Sequence, residues 1–82
     1  MSKKRRSEEE IYKDAGVIAN FVRKKRKALG YSQEDLAYRT GVGLRFLKEL
    51  ELGKKTVRLD KVNQVLLYFG HQLEPKKLKM DE

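Results

Sequence analysis

The chain has 82 residues, a formal net charge of +8, no cysteine and one histidine. A chain of that length builds one compact domain, and its residue usage excludes disulfide scaffolds, thiolate zinc sites, cysteine nucleophiles and nearly all imidazole catalysis. No apolar run approaches the roughly 20 residues that cross a bilayer, and the N-terminal stretch has no apolar segment able to act as a signal peptide. The expectation is therefore a cytoplasmic protein that is not an enzyme, takes no cofactor and no metal, and engages no membrane. The basic balance points to a polyanionic partner, because a basic surface gains free energy by releasing counterions condensed on phosphate chains.

Residues 1–13 mix a basic run, Lys3 to Arg6, with an acidic one, Glu8 to Glu10, and hold few apolar groups. They read as a disordered or partly helical arm whose charges are solvated. A helix-turn-helix domain follows over 14–70 and a strand with a charged tail over 71–82. From Asp14 onward Ile18, Phe21, Val22 and Leu29 fall on one helical stripe, which Gly30 ends. Ser32 is a good N-cap for a second helix starting at Gln33, with Asp35 placing negative charge on its first turn, and Gly41 closes it. A third helix begins at Gly43 or Leu44 and stops at Gly53, with Leu47 and Leu50 one turn apart on its core side. Two short helices joined by a glycine-bearing turn form the helix-turn-helix pattern. The fourth helix, from Leu59 to Phe69, is apolar over a wide arc. Leu59, Val62, Val65, Leu66 and Phe69 form one face, while Leu67 and Tyr68 point elsewhere, where a subunit contact is the simplest use for them. Residues 71–74 read as a short strand before Pro75. A lone strand in a helical chain has no partner, so pairing with the same strand of a second copy would build a two-fold dimer through Leu67, Tyr68, His71 and Leu73. His71 has no second ligand-type residue near it in sequence and is assigned to that surface rather than to a metal.

The chemistry of the third helix follows from its wheel. At about 100° per residue the side opposite the core carries Arg45, Lys48, Glu49 and Leu52. Arg45, in the first turn, is placed to give two parallel hydrogen bonds to a guanine, and Lys48 and Glu49 are further base-reading candidates. Leu44 and Phe46 flank that face, where they either touch thymine methyl groups or pack against the second helix. Lys54 and Lys55 follow the helix and Arg58 precedes the next one, as phosphate contacts that position without reading sequence. Glu51 lies only about 40° from Leu47 on the wheel, so its carboxylate needs a cationic partner, and spacing leaves Lys25 and Arg26 both open.

The run Arg26-Lys27-Ala28-Leu29-Gly30-Tyr31-Ser32-Gln33-Glu34-Asp35-Leu36-Ala37, followed by Gly41-Val42 and by Leu47, Leu50, Glu51 and Gly53, resembles the XRE or Cro/repressor-type helix-turn-helix family. That resemblance implies an all-α, compact four-helix, lambda-repressor-like domain that acts as a homodimeric repressor on a palindromic stretch of double-stranded DNA. It also implies that Gln33 clamps the DNA backbone and that an inward Arg26 pairs with Glu51. The stretch 57–66 and the following Leu-Tyr-Phe-Gly are similar to HipB-type antitoxins, which implies a toxin protein as an alternative partner. A third use of the same motif, an RNA or ribosome-associated coactivator, is separated from these by preference for RNA over duplex. Two positions depart from the family pattern. Gly43 stands where a serine or threonine is usual, and Val57 where proline is common.

Overall fold

The computed structural model describes residues 15–79, so the expectations placed on the basic and acidic runs of the arm and on the last residues of the tail lie outside the described residues. Four helices follow in order: α1 (Val17–Ala28), α2 (Gln33–Thr40), α3 (Leu44–Glu51) and α4 (Leu59–Tyr68). No strand occurs among the described residues, and the fold is all-α.

Helix α1 buries Ala19, Val22 and Arg26, a line at helical spacing. This corrects the expected stripe: Ile18 is 36% exposed and Leu29 51%. Ile18 sits one residue off the buried line, and Leu29 is the C-cap, where the chain is already leaving the helix. The exit is fixed by two backbone bonds, from the Gly30 amide to the Lys27 carbonyl at 3.0 Å and from the Tyr31 amide to the Arg26 carbonyl at 3.1 Å, which satisfy carbonyls that the helix end leaves open. The same pair of bonds closes α3 at Gly53 and Lys54, and α4 at Gly70 and His71.

Helix α2 opens on a reciprocal cap. Ser32 Oγ accepts from the Asp35 amide at 3.0 Å, and Asp35 Oδ2 accepts from the Ser32 amide at 3.0 Å. The bonds to Ser32, backbone first, hold the Asp35 carboxyl below its ordinary value. Its folded value is thus lower than its unfolded one, so this contribution is present at neutral pH and is lost as pH falls through the folded value. Ser32→Ala is expected to cost about 1 kcal/mol, seen as a fall of roughly 4–8 °C in melting temperature for a domain of this size.

The core gathers Val22 from α1, Leu36 and Ala37 from α2, Val42 from the turn, Leu47 and Leu50 from α3, and Val62, Val65 and Leu66 from α4. Leu59, expected on the core face of α4, is 69% exposed, because it is the first residue of the helix and lies a turn short of the buried line that begins at Val62. Residues 71–79 form no regular element. The expected strand is absent from the single chain: the Leu73 amide is donated to Asn63 Oδ1 at 2.7 Å, and the Leu73 side chain packs against the core.

Candidate nucleic-acid interface

The turn between α2 and α3 sets the relation of the two helices. Gly41 adopts φ 81 and gives its amide to the Ala37 carbonyl at 2.9 Å, a left-handed conformation that glycine takes without a Cβ penalty. Val42 then buries itself at 5% exposure. Gln64 of α4 reaches across and donates to the Thr40 carbonyl at 2.7 Å, tying the turn to the core. Gly43 caps α3 with extended backbone and no side-chain bond, so α3 is held by packing rather than by its cap.

That packing sorts its side chains. Leu47, Leu50 and Glu51 are buried, while Arg45 and Lys48 are exposed. Leu44 and Phe46 are half-buried against the core, which leaves only part of each available to a ligand. Glu49 is half-buried and pairs with Lys54 Nζ at 3.1 Å, and Leu52 stands 55% exposed at the helix end. The outward face of α3 therefore presents two cations, with a carboxylate already engaged beside them.

Beneath this face lies a buried ion pair. Arg26 Nε donates to Glu51 Oε2 at 2.7 Å and Arg26 Nη2 to Glu51 Oε1 at 2.9 Å, while Nη1 donates to the Tyr31 carbonyl at 2.8 Å. Glu51 is fully buried and Arg26 nearly so. Of the two cations that spacing left open, the structure brings Arg26 to the carboxylate and leaves Lys25 exposed, over the Phe21 ring. Gln33, half-buried at the start of α2, donates from Nε2 to Glu51 Oε1 at 3.2 Å. Sequence reasoning missed that link, since the two residues are 18 apart in the chain.

The flanking cations differ in how free they are. Lys55 is exposed. Lys54 is tied to Glu49, and Arg58 makes two bonds to Asp60, at 3.1 and 2.7 Å. The Arg58 bond is the chief cause that holds the Asp60 carboxyl below its ordinary value. Both pairs are on the surface, where such contacts are worth little, so a phosphate can compete for either cation.

Of the four residues expected at a subunit contact, three make contacts within their own chain. The Tyr68 hydroxyl lies 3.3 Å from that of Tyr31, and Arg39 sits over the Tyr31 ring at 4.4 Å. His71 packs against Phe21 with ring centroids 4.6 Å apart and donates from Nδ1 to the Phe69 carbonyl at 2.7 Å. Leu73 is half-buried, whereas Tyr68 and His71 keep exposed surface beside these contacts and Leu67 is exposed at 62%. Among the described residues no group of three or more His, Asp or Glu side chains is placed to hold a metal ion, and no helix is long and apolar enough to cross a membrane.

Two short helices joined through a left-handed glycine, the second buried on one side and cationic on the other, define a helix-turn-helix protein. Residues 19–80 match the family model of the helix-turn-helix domain, and the chain belongs to that family. Over 61 residues it is 41% identical to y4mF, an uncharacterized HTH-type transcriptional regulator of Sinorhizobium fredii, covering 74% of this chain and 76% of that protein.

Proposed function

We propose that the protein is a sequence-specific, duplex-DNA-binding transcriptional repressor that acts as a homodimer on a palindromic operator, with α3 in the major groove. The observation that carries this reading is the exposed pair Arg45 and Lys48 on a helix whose opposite side is locked into the core. Arg45 lies in the first turn of α3, the part of such a helix that meets base edges. Gln33 and the N-terminus of α2, with Lys54, Lys55 and Arg58, supply backbone contacts that fix the register. Two copies would place their α3 helices in successive major grooves about 34 Å apart. The relation to an HTH-type transcriptional regulator supports regulation as the setting.

The test is fluorescence anisotropy on the DNA upstream of the protein's own gene, against scrambled duplex and RNA of equal length, over a salt series. The expected result is selective duplex binding that weakens with salt, with two chains per site by sedimentation. Arg45→Ala should lose about 1–3 kcal/mol of discrimination between the operator and scrambled duplex while melting within a degree or two of the parent. Equal binding to every nucleic acid would reject the reading.

A second reading, an antitoxin that neutralises a protein toxin, is favoured by one observation. An open groove of about 650 Å³ runs between Val17, Ile18 and Phe21 on α1 and the C-terminal segment, where Leu73 and Pro75 are joined by Glu74, Lys76 and Lys77, and no residue of α3 lines it. Co-expression with the product of an adjacent gene, followed by size-exclusion chromatography, tests it. A stable complex that α3 variants leave intact would support it.

A further inference from the structure

We propose that Glu51 is a positioning residue for the DNA-backbone contact: it holds the Gln33 amide in the orientation that contact needs. The inference rests on the reading of Gln33 as a backbone contact given above.

A carboxylate paired with a guanidinium accepts hydrogen bonds and donates none, so Gln33 meets Glu51 with its NH₂ and not with its carbonyl. The orientation of the amide is thus dictated by its partner. Glu51 cannot swing to follow a mobile glutamine. It is 0% exposed, and Arg26 holds its two oxygens at 2.7 and 2.9 Å while anchored on the Tyr31 carbonyl at 2.8 Å. Gln33 is therefore tied to a fixed point of the core.

A side-chain amide has two N–H bonds, and Glu51 takes one. The other remains at the start of α2, where the cap engages the amides of Ser32 and Asp35 and leaves those of Gln33 and Glu34 without an intrahelical acceptor. Three donors thus gather at one helix terminus, on the face that a phosphate approaches. Arg26 neutralises the Glu51 charge, so the orienting carboxylate does not repel the phosphate. A glutamine already held avoids the entropy loss of ordering a free side chain on binding.

Two measurements test this. The first is the ¹H–¹⁵N heteronuclear NOE of the side-chain amides in the free protein. The chain has three glutamines, Gln33, Gln64 and Gln72. Gln33 should be as restrained as Gln64, which is bonded to the Thr40 carbonyl at 2.7 Å, whereas the exposed Gln72 should be mobile. A Gln33 amide as mobile as that of Gln72 overturns the proposal. The second is a cycle of operator affinity with Glu51→Asp, which keeps the charge but draws it back by one methylene, in the parent and in Gln33→Ala. Affinity should fall about two- to tenfold in the parent, the range of one ordinary hydrogen bond, and by less than about twofold where Gln33 is absent. Equal losses in both backgrounds would show that Glu51 acts on the fold alone. If Glu51→Asp fails to fold, the NOE decides, and if no duplex is bound selectively it is the repressor reading that has failed.

Discussion

Arg26→Ala is expected to lower the unfolding free energy by about 3–5 kcal/mol, the range seen when one partner of a buried ion pair is removed. Small domains are stable by only about 5–15 kcal/mol, so the melting temperature should fall on the order of 15 °C or more. Truncation leaves the fully buried Glu51 carboxylate with Gln33 as its remaining side-chain partner, and it strips the Tyr31 carbonyl of its donor. The loss comes from stranding a charge rather than from forfeiting attraction, and a second variant separates the two. Arg26→Met combined with Glu51→Met removes the charges together, and paired apolar replacements of this kind are often neutral or stabilising. Thermal unfolding should show the double variant well above Arg26→Ala. It should still bind the operator more weakly than the parent, because Gln33 has lost its anchor. A single variant that melts like the parent would mean that the pair does not hold α1 to α3.

The features that sequence made legible are those that act within one turn of chain. Ser32, Gly41 and Gly53 mark helix ends because a cap concerns only the residues beside it, and Leu47 and Leu50 declare the inner side of α3 by spacing alone. With that side known, the outward placement of Arg45 and Lys48 follows from geometry. The line on α1 carries little apolar signal for a physical reason. Its buried positions are Ala19, Val22 and Arg26, one small and one charged, while the larger apolar residues Ile18 and Leu29 lie off that line. Partners far apart in the chain left no periodic signal: Gln33 on Glu51, Gln64 on the Thr40 carbonyl, and Asn63 on the Leu73 amide. A helical wheel also shows direction but not what covers it, which is why Leu44 and Phe46 stayed open until the packing of α3 was known.

Gly53→Ala is expected to cost roughly 3 kcal/mol or more, well beyond the same change at Gly30, although both glycines have positive φ, 86 and 72. A left-handed backbone penalises any Cβ by about 1–2 kcal/mol, and at Gly30 nothing lies within 4 Å of the added atom, so that penalty is the whole effect there. At Gly53 a Cβ would lie 2.6 Å from the Cα of Ala15. The obstruction is backbone, which cannot rotate aside like a side-chain end, and relieving such an overlap typically costs a further 1–3 kcal/mol or so. Ala15 stands just before the N-cap of α1, Gly16, so the strain should lift the start of α1 away from the end of α3. The comparison is made with urea midpoints of the two variants. Similar losses would show that the approach of Ala15 to Gly53 gives way easily. A much larger loss at Gly53 would identify this backbone contact as a second lock between α1 and α3, at the opposite end of α1 from Arg26.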